Sequence, residues 1–562
     1  MAFELLAWIY LSVICLIWGN LFVHLFFRGS RESLEFDFPV LCIVGMSLIG
    51  ATALYLSLFI PLGGLVKWIL QLPVLLYFLS AANRRTFCFQ VIKPFVNFSG
   101  IDLFLLTVSV VMVLFLSTSP IIHPDSLHYH IYSIRVFDQF GTIPGIVNLQ
   151  LEFGFQSLWF AVLSVFDFSH LQTGISYPLS GCLLCWFFIF LISKLANAGH
   201  PSGRAGKGVF AVAYLALLLF TVFSWTQVRL TASSASPDFV ATVCILLAFY
   251  FFIRKPELDK NRSGPYFALF FALTAISIKL SAIFILLMPA YVMACGLVKR
   301  RFRLTGTAFL LVLFFLTPVI IRNIMSTGYP FFPSAFADIF HPDWKLPEAR
   351  LANFRHYITV YARFPLSGRV SEAAYRLPFS NWLPLWWRHL QLLDKVLVLA
   401  LTIGGFLNLI LFKKWVKAFS ITSFTAFMIA LSGTVLWFVN APDPRFGTGF
   451  LLPLLYFQYS PYFVSCQFGD SRLFHKTIRR LKFFAVLMIA GYIVYRGIYF
   501  FHPQQLIFPD GVKKTMPVRP DCNDYMKSML FGDSSAPFRL PDSCKTFINR
   551  GSSLKAGFRP LD

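Results

Sequence analysis

Acidic side chains are scarce in this sequence: 25 Asp and Glu in 562 residues, with charged residues of both signs at only 13%. A soluble domain cannot cover its surface so sparsely, because about a quarter of an ordinary soluble sequence is charged. Cysteine is also thin, at 10 residues, which excludes a small scaffold stapled by disulfides. No short cleavable leader is expected, since the first apolar stretch is full-length and others follow at once.

What is present points to the bilayer. The chain is 57% hydrophobic and 18% aromatic, with 67 Phe and 12 Trp, and its mean hydropathy is +0.69. Such a chain is an all-α polytopic membrane protein, with Phe and Trp suited to lipid-facing and interfacial positions. The net charge of +23 comes from basic residues scattered between apolar spans. Grouping on one polar segment would suggest nucleic acid; scattering does not.

A crossing needs roughly 17 to 25 apolar residues, and about fourteen such spans are expected. They lie near 5–27, 39–61, 64–81, 101–118, 171–193, 206–226, 236–253, 264–279, 281–297, 305–321, 392–412, 418–439, 446–464 and 483–501. Lys and Arg in the short loops set orientation. One frame puts Arg28 and Arg31, then Arg84, Arg85 and Lys93, then Lys194, Arg204 and Lys207 on one side. Arg254, Lys255, Lys260 and Arg262 follow, then Lys299, Arg300, Arg301 and Arg303, then Lys413, Lys414 and Lys417. Arg472, Lys476, Arg479, Arg480 and Lys482 complete it. That side is expected to be cytoplasmic. The chain then divides into an N-terminal scaffold over 1–100, a core over 101–501 with outer loops 119–170 and 322–391, and an outer tail over 502–562.

The outer stretch Ser117-Thr118-Ser119-Pro120-Ile121-Ile122-His123-Pro124-Asp125-Ser126-Leu127-His128-Tyr129-His130 concentrates polar chemistry just beyond a span. A membrane protein has little physical reason to keep such groups there unless they face water or a substrate. Pro120 and Pro124 stop the helix. A helical pattern resumes with Leu127, Ile131 and Ile134 on one face, and Asp125 and His128 stand one turn apart. Asp125 admits three readings: a helix N-cap, a general base for an acceptor hydroxyl, or, with His123, His128 and His130, a ligand for a divalent cation. The segment from Leu151 to Phe160 is expected to be interfacial or re-entrant.

Other outer turns each offer charge: Asp238 after Pro237, Lys279 in a tight turn, Arg322-Asn323 before Tyr329-Pro330, and Asp443-Pro444-Arg445. Asp238 also suits an N-cap, Asp443 a local pair with Arg445, and the basic residues snorkelling to water. The small residues Ala232 to Ala235 favour close packing before Asp238. The 322–391 loop carries eight Lys or Arg against four acids, which suits an anionic ligand or headgroup. Its Trp344, Trp382, Trp386 and Trp387 suit the membrane surface or a sugar ring. Cys522 and Cys544 in the tail are placed to pair in an oxidising compartment, whereas Cys182 and Cys185, inside a span, are expected to pack.

Together these segments, over about residues 100 to 465, resemble the GT-C superfamily of membrane glycosyltransferases. Those enzymes include protein O-mannosyltransferases and aminoarabinose transferases of lipid A, and the likeness is to a bacterial branch. The resemblance implies a GT-C-like bundle in a bacterial inner membrane, with the active site facing the periplasm or outside. It implies transfer of a sugar from a polyprenyl-phosphate donor to a glycan, lipid or protein acceptor. Asp125, with His128 beside it, would be catalytic; Lys279, Arg322 and Arg445 would bind the donor phosphate. His123, His130, Asp238, Asn323, Tyr329 and Asp443 would support them. Many relatives carry two adjacent acids in this loop, whereas Asp125 is followed by Ser126, which is compatible with a single-carboxylate mechanism. No cofactor is required, although a divalent cation stays open. Two other classes share the spans: a transporter or flippase of lipid-linked sugars, and a non-catalytic subunit for envelope assembly.

Overall fold

A computed structural model describes residues 1–26, 37–171, 174–198, 207–253, 264–364, 372–417, 419–465, 472–509 and 512–513. Outside these fall Cys522 and Cys544 and the basic residues Arg28, Arg31, Arg204, Arg254, Lys255, Lys260, Arg262 and Arg369.

The long apolar runs fold as helices because a backbone in lipid must satisfy its own hydrogen bonds. Among the described residues, nine helices are long and apolar enough to cross a membrane, or ten if one bent pair counts as a span. They are Ala2–Phe26, Phe38–Leu56, Gly100–Ser117, Pro178–Asn197, Leu280–Val298, Phe302–Thr327, Leu392–Ile410, Ile421–Asn440 and Lys476–Tyr499. The protein is therefore a polytopic all-α membrane protein; its described strands are the two-residue pair Gly174–Ile175 with Val512–Lys513.

The other five expected spans are helical but differ in kind. The one near 64–81 is Leu65–Phe78, which meets the following Ala81–Phe95 at a bend of 102°. Phe210–Phe223, Asp238–Ile253 and Gly264–Ile278 are apolar but short. Pro444–Ser465 spans 22 residues, yet Pro453, Pro461 and Gln458 dilute its apolar character. Gly264–Ile278 is buried continuously from Phe267 to Ile278, so its apolar surface meets protein on every side.

Close packing needs small residues at crossings. A Cβ on Gly45 would lie 1.7 Å from the Cys15 carbonyl oxygen, so the helices Ala2–Phe26 and Phe38–Leu56 touch backbone to backbone. Cys182 and Cys185 are buried free thiols, as packing requires. Asp102 closes a capping box with Ser99 and accepts from Lys482 Nζ at 2.6 Å. That buried ion pair ties the start of Gly100–Ser117 to the helix Arg472–Phe500.

Beyond Ser117 the chain leaves the bundle. Ser126–His130 forms a π-helical turn, closed by the Ile131 N–H donating to the Ser126 carbonyl, and the helix Ile131–Gln139 follows. The wider turn carries an extra residue, which rotates the face: Ile131 and Ile134 are buried, while Leu127 is exposed. The 151–160 segment becomes a short turn, Leu151–Gly154, and the eight-residue helix Leu158–Val165, buried throughout. At about 12 Å long such a helix does not cross. The 322–391 segment supplies the helices Glu348–Arg363 and Phe379–His389.

Candidate functional site

Four helix ends converge. Asp238 opens Asp238–Ile253, Lys279 follows Gly264–Ile278, Arg445 is the second residue of Pro444–Ser465, and Asp125 leads the π turn. Pro237 and Pro444 stand where fixed φ and a missing N–H suit a helix start.

Arg445 is the hub. Its Nε and Nη2 each lie 3.1 Å from Asp443 Oδ2, and its backbone N–H donates to Asp443 Oδ1 at 3.0 Å. The local pair expected from the sequence therefore forms. Nη1 reaches further, to Asp125 Oδ2 at 3.4 Å and His123 Nε2 at 3.2 Å, with Asp238 Oδ2 at 4.0 Å. Lys279 donates to Asp238 Oδ1, and its ammonium lies 3.7 Å from the centre of the Phe446 ring. Asp238 thus bridges both cations rather than capping its helix through its side chain. Two cations face three carboxylates, so the cluster carries no surplus positive charge.

The three carboxylates differ in access. Asp238 and Asp443 side chains are 4% exposed, against 26% for Asp125. Asp125 makes no cap hydrogen bond, so the N-cap reading does not describe its side chain. Burial alone would raise its pKa; the Arg445 guanidinium outweighs that and holds it below the ordinary Asp value. Asp125 is therefore an ionised carboxylate at neutral pH.

The histidines separate. His123 is fully buried beside Arg445, with Nδ1 lacking a hydrogen-bond partner. His130 is buried, shares a 2.9 Å hydrogen bond between Nδ1 and Ser126 Oγ, and burial, with His123 close by, pushes its pKa down to about 3. It is a neutral packing histidine. His128 is 57% exposed and lies 3.8 Å from Glu152 and 3.1 Å from Gln150 Nε2. The π turn carries it away from the hub.

Arg322, Asn323 and Tyr329 also stand apart. Arg322 is buried; it donates to Gln156 Oε1 at 2.9 Å, Ser57 Oγ at 2.7 Å and Thr142 Oγ1 at 2.6 Å, and stacks 3.8 Å over Phe137. Its donors are spent on neutral acceptors that tie Phe302–Thr327 to the 141–142 turn. Asn323 donates to the Pro330 carbonyl and Tyr329 to that of Leu346, both at 2.9 Å; these are braces of the loop.

Two of the four loop tryptophans pack inward. Trp382 and Trp386 are buried, and Trp386 Nε1 donates to the Pro442 carbonyl at 2.7 Å. Trp437 Nε1 donates to the Asp443 carbonyl at 2.6 Å. Trp386 and Trp437 brace the turn that carries Arg445. Tyr361, with its ring centre 6.0 Å from the Arg445 guanidinium, also walls the hub; nothing in its sequence context distinguishes it from other loop tyrosines.

No group of three or more His, Cys, Asp or Glu among the described residues is arranged to hold a metal ion. The Arg445 guanidinium sits between the carboxylates where a cation would. The arrangement can hold one accessible, ionised carboxylate rigidly at the end of a helix bundle.

No curated protein and no solved structure matches this chain. Residues 1–452 match the family described as a domain of unknown function, DUF8201, and the chain belongs to that family.

Proposed function

We propose that this protein is a GT-C-type membrane glycosyltransferase with about fourteen crossings. It moves a sugar from a polyprenyl-phosphate donor to a glycan, lipid or protein acceptor at the outer face of a bacterial inner membrane. The observation that carries the reading is Asp125: of the carboxylates around Arg445 it alone keeps an accessible side chain.

In the proposed step the acceptor oxygen bonds to the anomeric carbon while the bond from that carbon to the donor phosphate oxygen breaks. The phosphate leaves with the electron pair, and the acceptor proton passes to Asp125. Attack opposite the leaving group inverts the anomeric centre. Phosphate is already an anion, so no strong acid is needed. Lys279, whose side chain is 23% exposed, is the cation of the hub best placed to meet developing charge. Arg445 is held by carboxylates and orients Asp125.

A transporter would place its polar groups near the bilayer midplane. Asp238, Lys279 and Arg445 all stand at helix ends, which suits surface chemistry. The test is a comparison of envelope glycans and lipid-linked sugar pools between parent and deletion membranes. A lost sugar with its donor accumulating supports transfer. An unchanged glycan profile contradicts it.

A further inference from the structure

A cavity of about 520 Å³ lies beside the hub, between the C-terminal ends of Gly100–Ser117, Lys207–Phe223 and Arg472–Phe500. That size suits a small ligand or a headgroup with its first carbons. Leu116, Ile122 and Phe223 give it apolar walls, and the exposed rings of Trp225, Tyr495 and Tyr499 form its rim. Amphipathic aromatics of this kind belong at a membrane–water interface.

Arg229 and Arg496 both line this cavity, and no acidic residue does. Arg229 is 7% exposed, and its Nε and Nη1 are buried without a hydrogen-bond partner among the described residues. Its visible support is the Trp225 ring, 5.9 Å away. A buried charge with unspent donors is costly to keep. Helix C-termini favour nearby cations, but a dipole field does not satisfy two N–H groups. Burial, then the charge of Arg496, lowers the Arg229 pKa to about 10, which records two cations facing one space. Arg496 Nη2 donates to Ser119 Oγ at 3.2 Å, at the head of the loop that carries Asp125.

We propose that this cavity binds the phosphate headgroup of a membrane lipid, with Arg229 receiving the phosphate through Nε and Nη1 and the lipid chain leaving across the aromatic rim. An arginine fork matches phosphate oxygens, and the apolar walls suit a chain rather than a hydrated free anion. Gln227, two residues before Arg229 in the same turn, donates to Thr448 Oγ1 at 3.0 Å and to the Arg445 carbonyl at 3.4 Å. The turn that carries Arg229 is therefore tied to the helix that carries Arg445. Naming the lipid as the donor's polyprenyl phosphate rests on the transfer reading above; binding of a phosphate-headed lipid does not.

The experiment measures binding to the purified full chain in detergent, with polyprenyl phosphate, the uncharged polyprenol and inorganic phosphate as separate probes. Polyprenyl phosphate is expected to bind at least about tenfold more tightly than either of the others, and Arg229→Gln to weaken it by at least about tenfold. Ile122→Trp, which fills the cavity without removing charge, is expected to do the same. It supplies the reading if Arg229→Gln fails to fold. Equal binding of polyprenol, inorganic phosphate binding as tightly as the lipid, or parental affinity in a folded variant would each overturn the site. Sugar transfer is assayed separately, so a chain that binds the lipid yet transfers nothing contradicts the transfer reading and supports this one.

Discussion

Arg445 Nη1 donates to Asp125 Oδ2 at 3.4 Å, joining residues 320 apart in sequence. The contact depresses the Asp125 pKa against the opposing effect of burial. A depressed carboxylate pKa contributes stability that is present above the unfolded value and lost as pH falls through the lower folded value. The acid limb of transfer set by Asp125 is thus expected below the ordinary Asp range. Arg445→Met removes the counter-charge, so that limb should move to higher pH. The rate at neutral pH should fall by about 10²-fold or more. A pH–rate profile of parent and variant checks both.

The Lys279–Asp238 pair is a part-buried link between two helix ends. Asp238→Asn removes the charged partner of Lys279, and losing such a charge-assisted hydrogen bond costs about 1.5–3 kcal/mol. Thermal unfolding in detergent should show that loss, and Asp238→Asn with Lys279→Met should recover part of it. Full additivity of the two single changes would show that the pair is not coupled.

Arg322 gives a different pattern. Its guanidinium is committed to Ser57, Thr142 and Gln156, so Arg322→Met is expected to lower stability by about 3 kcal/mol or more, from charged hydrogen bonds lost in the interior. The KM for the lipid donor, measured on the folded fraction, should stay within about twofold, well under the tenfold that 1.4 kcal/mol of lost binding produces. A large rise in that KM would return Arg322 to the phosphate site.

His128 faces Glu152 and Gln150 rather than Asp125. His128→Ala should reduce transfer by less than about tenfold, short of the 10²–10⁴ expected for a general base.

Much of the site was legible because topology groups residues before geometry does. Loop charge placed Asp125, Asp238, Lys279, Asp443 and Arg445 on one face, and the structure brings those five together. Pro120 and Pro124 marked where the bundle ends. Arg322 shared that face in sequence, but the direction of a side chain on its helix depends on what packs there. Ser57 and Thr142, which receive it, come from distant segments. The π turn was illegible too: Leu127, Ile131 and Ile134 fit an ordinary helix, and the extra residue that turns His128 outward leaves no mark in periodicity. Hydropathy gave no sign that Gly264–Ile278 is packed by protein on every side, because it cannot separate such a helix from one wrapped in lipid. Arg229 did leave a signal, a lone basic residue on the side that loop charge marks as outer, but its meaning depends on Arg496 lying across the same cavity.

The most direct test of the account is Asp125→Asn, a change that keeps shape and removes the base. Sugar transfer from a polyprenyl-phosphate donor by the purified parent and variant is the measurement, with melting temperatures taken alongside. The account predicts a loss of about 10³-fold or more in transfer by a variant that remains folded. Transfer at the parental rate by folded Asp125→Asn would contradict it.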